Sequence, residues 1–164
     1  MNQFDPSLLG LILIPLLAGC FALLWAPARS LCLTAAGLNA VASLVSFFIY
    51  DQGVGGFQFV MEVPVFPEVG IQFSLGADGF SLAMVLLSTL VTLAAVWLTP
   101  EVERKPGLFY ACLMFISAGA IGAFVSLDVF FFYMFHELAL IPTFLLIGIW
   151  GSGDRQAAAW KMTI

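Results

Sequence analysis

The chain has 164 residues, 62% of them hydrophobic and 9% charged, whereas a soluble domain is about half apolar and about a quarter charged. That balance argues against a water-soluble fold. The formal net charge is −5, but the ten acidic and five basic residues are sparse and fall almost entirely between long apolar runs. They describe loops, and nothing in them suggests a nucleic-acid surface.

A helix needs about 20 apolar residues to cross a hydrocarbon core of about 30 Å. Four runs reach that length without an internal charge, at 7–26, 31–50, 79–98 and 108–127. A secretory signal would begin with positive charge, yet the first six residues carry only Asp5, so the first run is read as a true span. Cys20, Cys32 and Cys112 are too far apart for a CxxC pair and lie in or beside apolar runs. They read as small hydrophobes of membrane helices, not as a zinc site or disulfide framework.

Between the second and third runs, residues 51–77 change from helical to alternating periodicity. Phe57, Phe59, Met61 and Val63 form one apolar face, and Ile71, Phe73 and Leu75 form another. A small β-hairpin turning through Pro64 to Gly70 is expected, with an irregular capping loop as the alternative. Asp78 follows immediately before the third apolar run and suits a helix N-cap. In the fourth run, Ser117, Ala118, Gly119, Ala120, Gly122 and Ala123 offer a small-residue face for close helix packing.

The fifth run, 129–150, is as long as the others but contains His136 and Glu137. After it, residues 156–164 begin a further helical pattern and stop inside it, with no cap, glycine or breaker. The expected fold is therefore an all-α polytopic transmembrane bundle of five spans plus the start of a sixth, with a small extracytoplasmic β-hairpin. Residues 1–164 are expected to form a single membrane domain, the N-terminal portion of a longer protein.

Basic residues near helix ends mark the cytoplasmic side. Arg29, Arg104, Lys105, Arg155 and Lys161 all fall on one side of the alternating spans, while Asp5, Asp51, Glu62, Glu68, Asp78 and Asp128 fall on the other. The N-terminus and the 51–77 loop are thus expected on the periplasmic side of a bacterial inner membrane.

Glu137 lies roughly 12 Å into the fifth span at 1.5 Å per residue, close to the bilayer midplane. An ionised carboxylate there is costly, so it must face protein or water, pair with a cation, or take up a proton. Each of these makes a proton-handling group, and a neutral helix-to-helix hydrogen bonder is the structural alternative. His136 adjoins it, but successive helix positions point about 100° apart, so a relay and a packed histidine are both open. Tyr133 stands one turn before Glu137 and reads as packing or as a donor to the carboxylate. Pro142 removes a backbone hydrogen bond one turn beyond it. Gly148, Gly151 and Gly153 imitate a glycine-rich loop but do not spell GxGxxG and follow no strand. With no nucleotide site, triad or redox centre visible, the residues suit a chain that moves charge.

Two segments carry a family resemblance: Leu75-Gly76-Ala77-Asp78-Gly79-Phe80-Ser81-Leu82, and the run from Phe132 through His136-Glu137 to Pro142. With Ile147-Gly148-Ile149-Trp150-Gly151, Arg155 and Lys161, the chain resembles the antiporter-like membrane subunits of respiratory complex I, in the branch called subunit M or chain 4. The resemblance runs from about Phe57 to the end and more weakly through the first two spans. It implies that Glu137 matches the family's essential glutamate, which works with a lysine on a later, broken helix beyond Ile164. It also implies proton translocation coupled to quinone reduction, with other membrane subunits and the lipid bilayer as partners. Cofactors are expected in other subunits only, as NADH, FMN, iron-sulfur clusters and quinone. Two positions depart from the family pattern: His136 stands where an aromatic residue is expected, and Trp160-Lys161-Met162 replaces a phenylalanine-rich continuation. The multi-subunit sodium/proton antiporters share the same ancestry and are the second reading. A structural assembly subunit is the third.

Overall fold

The computed structural model describes residues 5–24 and 27–163. Among these residues six α-helices and one hairpin follow in chain order: α1 (Ser7–Leu24), α2 (Ala28–Ile49), β1 (Gln58–Phe66), β2 (Ile71–Ala77), α3 (Gly79–Leu98), α4 (Pro106–Val125), α5 (Val129–Trp150) and α6 (Arg155–Thr163). The first five helices are long and apolar enough to cross a membrane, which bears out the five-span bundle with the start of a sixth helix and a small sheet.

Local chemistry explains where the helices begin. Asp78 caps α3 as expected, accepting the Ser81 N–H at 2.7 Å. The same device starts α5, where Asp128 Oδ1 accepts the Phe130 N–H at 2.8 Å. Hydropathy places the start of α4 at residue 108, but the helix opens at Pro106, because proline at the first helical position gives up an N–H that would lack a partner anyway.

The small-residue face of α4 makes it the central helix, packed on α1, α2, α3 and α5. Of the 18 most apolar consecutive residues in each, 56% are buried in α4 and 17% in α5. α5 is therefore an edge helix, seated on α4 along one face and met by α6 only toward its end. Between α2 and α3 the bundle buries polar groups as well: the Ser43 and Thr89 hydroxyls meet at 2.7 Å.

The hairpin caps one end of the bundle. It turns more tightly than expected, through Pro67–Val69 and Gly70, whose φ of 73° favours glycine. The two apolar sets do not face apart. Met61 pairs directly with Leu75 and Val63 with Phe73, and directly opposed residues of an antiparallel pair share one face. Phe57 precedes the strand, and Phe59 sits at the irregular register between Gln58 and Met61 with a φ of 55°. The free edge of β2 is also covered, since the Leu127 N–H donates to the Ser74 carbonyl at 2.9 Å. Leu8, Leu11, Met61, Leu75, Leu82, Ile121 and Phe131 belong to the core at this end.

Three hydrogen bonds gather the arginines at the opposite end. Arg29 donates to the Trp97 carbonyl at 3.1 Å, the Trp150 indole donates to the Arg104 carbonyl at 3.0 Å, and Arg155 donates to the Ile149 carbonyl at 3.1 Å.

Candidate functional site

The position of Glu137 follows from how α5 is seated. Phe131 and Phe135 are buried, as is Pro142, and with Ala139 they form one stripe along the helix. α4 offers glycines opposite that stripe: a Cβ at residue 119 would lie 2.6 Å from the Phe135 oxygen, and one at residue 122 would meet the Phe135 ring. The small-residue face thus brings the two backbones close, as its composition predicts. Phe73 of the hairpin adds an edge-on ring contact to Phe131 at 4.9 Å, fixing the same face from the capped end.

At about 100° per residue, Glu137 then points about 160° away from Phe135. It is exposed, as are His136 and Tyr133. Tyr133 and Glu137 share the outward face, and among the described residues no hydrogen bond joins them. The Tyr133 ring instead lies 6.1 Å from the His136 ring, tilted by 51°. The three residues singled out by sequence therefore sit together on one uncovered surface, with the carboxylate partnered by no described residue.

Pro142 faces inward and is buried. Thr143 donates its hydroxyl to the Ala139 carbonyl at 2.7 Å, so this turn holds one extra side-chain bond beside the one that proline removes. Toward the basic end, α6 folds back over α5: Phe144 meets the Trp160 ring at 5.7 Å, and Gly148 faces Ala159. Phe144 and Gly148 lie on the same stripe as Glu137, Phe144 about two turns or ~10 Å along it. The stripe is covered at its basic end and open at Glu137.

Among the described residues, no group of three His, Cys, Asp or Glu side chains could hold a metal ion. Cys32 and Cys112 are buried and unbonded to one another, and Cys20 is exposed. The sequence reading missed the Asp128 cap, although the signal was the same as at Asp78. It also missed the buried polar stripe of Asn39, Ser43 and Ser46 on α2, whose helical spacing was visible.

No family model matches the chain. Curated relatives do. The chain is 35% identical to NAD(P)H-quinone oxidoreductase chain 4 2 of Thermosynechococcus vestitus, in a match covering 100% of this chain and 32% of that protein. It is 37% identical to the chloroplastic chain 4 of Chara vulgaris, over 98% of this chain and 34% of the relative. The chain thus spans about a third of the length of the curated relatives it matches. Among solved structures, a chain of respiratory complex I from Thermus thermophilus with bound NADH superposes with a TM-score of 0.80 at 28% identity, covering 94% of this chain and 31% of that one. A chain of the membrane-bound sulfane sulfur reductase, an archaeal respiratory membrane complex, shares the fold, with a TM-score of 0.69 at 19% identity over 96% of this chain and 25% of its own length. The resemblance read from the Asp78 and Glu137 segments is borne out: along its whole length this chain is homologous to part of the chain 4 membrane subunits of NAD(P)H-quinone oxidoreductases.

Proposed function

We propose that the chain is part of a proton-translocating membrane subunit of an NADH:quinone oxidoreductase, and that Glu137 is its proton-handling carboxylate. The observation that carries this is the placement of Glu137 midway along α5, on the face turned away from α4. In a bilayer a charge at that depth is stable only beside a partner cation or water, and otherwise takes up a proton. A carboxylate in low dielectric has its pKa raised, and an approaching cation lowers it again. A lysine moving toward and away from Glu137 would therefore unload and load it, and the family resemblance implies such a lysine on a later helix. Tyr133 and His136, in ring contact on the same surface, extend the path as a relay.

The redox cofactors belong to other subunits in this reading, and the chain's own residues supply only the proton site. The basic end, with Arg29, Arg104 and Arg155, faces the cytoplasm. The hairpin end, with Asp5, Asp78 and Asp128, faces the periplasm.

The test is Glu137→Gln in the full-length gene, with assembly verified by blotting, read as NADH-driven quinone reduction and proton uptake in inverted membrane vesicles. Loss of NADH-driven proton uptake in an assembled complex is expected. Intact NADH activity with lost sodium/proton exchange would reassign the chain to the antiporters, and no loss in either would make Glu137 structural.

A further inference from the structure

At the basic end of the bundle, α1, α2, the connection between α3 and α4 and the start of α4 line an open cavity of about 400 Å³ that plays no part in the function proposed above. Its wall is apolar at Ala22, Leu24 and Val102, and Arg29 and Glu101 supply its two charges. Arg29 bonds to the Trp97 carbonyl at 3.1 Å, which leaves further guanidinium N–H groups for another acceptor. Tyr110 also lines the cavity. It is 1% exposed, and among the described residues its hydroxyl has no hydrogen-bond partner. Buried tyrosine hydroxyls are normally paired, so this one points to a missing acceptor.

The location narrows what that acceptor is. The cavity lies where helices of membrane-crossing length end, which is the level of lipid headgroups. At Pro27 it adjoins a second depression lined by Phe21, Leu31 and Thr34. Phe21 is 55% exposed, so this depression presents an apolar surface of α1 and α2 suited to an acyl chain.

We propose that the cavity seats the headgroup of an aminophospholipid, with its phosphate on Arg29 and the Tyr110 hydroxyl and its ammonium on Glu101. One cation and one carboxylate in the same small space match a zwitterion whose two charges are separated. A free phosphate or a purely anionic headgroup would face Glu101 as a like charge, and a choline headgroup has no N–H to give it.

The experiment uses the full-length protein purified with its native membrane partners, delipidated, and titrated with phosphatidylethanolamine, phosphatidylglycerol, phosphatidylcholine or inorganic phosphate under native mass spectrometry. Phosphatidylethanolamine is expected to bind in preference to the other three. Arg29→Gln should weaken it about tenfold, the loss of one charge-assisted contact. Tyr110→Phe keeps the ring in place and should weaken it less. Glu101→Gln should abolish the preference over phosphatidylglycerol, and Arg155→Gln, outside the cavity at the same end, should change nothing. Equal binding of phosphatidylglycerol or of inorganic phosphate by the unmodified protein would overturn the proposal, as would undiminished phosphatidylethanolamine binding by Arg29→Gln.

Discussion

Phe135 turns its backbone carbonyl onto Gly119 so closely that a Cβ added at residue 119 would sit 2.6 Å from the oxygen and 2.7 Å from the Ala139 nitrogen. Neither neighbour is a flexible side chain, so an alanine there can be accommodated only by pushing α5 away from α4. Overpacking of this kind costs about 1–3 kcal/mol, and it would carry Glu137 outward with the helix. Gly119→Ala should therefore lower the thermal stability of the purified protein and, on the function proposed above, the proton uptake of the assembled complex. Gly37→Ala is the control, since a Cβ at residue 37 meets nothing within 4 Å. Equal behaviour of the two variants would mean that α5 is not held by this contact.

The Asp78 cap carries a pH dependence whose sign can be worked out. The Ser81 N–H and hydroxyl hold its carboxyl below the usual carboxylate range. A folded-state pKa lower than the unfolded one gives stability that is present above the unfolded value, about 3.9 for aspartate, and is lost as pH falls through the folded one. Asp78→Ala should cost about 1 kcal/mol at neutral pH. Asp78→Asn should keep the cap while flattening the acid limb of the stability curve. Melting temperatures of the three proteins between neutral and acid pH check both statements, and an unchanged acid limb in the asparagine variant would assign it to other carboxylates.

Ser43 and Thr89 link α2 to α3 through hydroxyls 2.7 Å apart in the bundle interior, each also within donating distance of a carbonyl of its own helix, so two hydroxyl protons are shared among three contacts. Those internal carbonyl bonds survive loss of the partner, so the pair should couple weakly. Interhelical hydrogen bonds measured in a membrane average about 0.6 kcal/mol and reach about 1.7 kcal/mol. A double-mutant cycle of Ser43→Ala and Thr89→Val should fall in that range. A coupling near zero would leave packing as the sole tie between these helices at this depth.

Much of this arrangement was legible in the amino-acid order because a bilayer constrains it strongly. Five apolar runs of hydrocarbon length became five helices, and the asymmetric arginines collected at one end of the bundle. What sequence could not supply was the relation between elements. Alternation in β1 and β2 showed two apolar sets, but only their pairing put Met61 and Leu75 on one face. Glu137 stood out as a charge in an apolar run, yet its outward direction depends on which side of α5 meets Gly119 and Gly122. The Tyr110 cavity was invisible for the same reason, since Arg29, Glu101 and Tyr110 come from three separate segments and share no spacing.

The proposed relay makes a sharper demand on Tyr133 and His136 than on Glu137. His136 points about 100° from the carboxylate along the helix, while its ring lies 6.1 Å from that of Tyr133, which shares the carboxylate's face. If protons pass through both, removing either one interrupts the same route. Tyr133→Phe and His136→Phe should then each slow proton uptake severalfold, and the double variant should be no slower than the more damaging single change. Glu137→Gln should abolish uptake in every background. Multiplied losses in the double variant would mean that the two rings act independently. Full activity in both single variants would confine the chemistry to Glu137 and leave Tyr133 and His136 as packing.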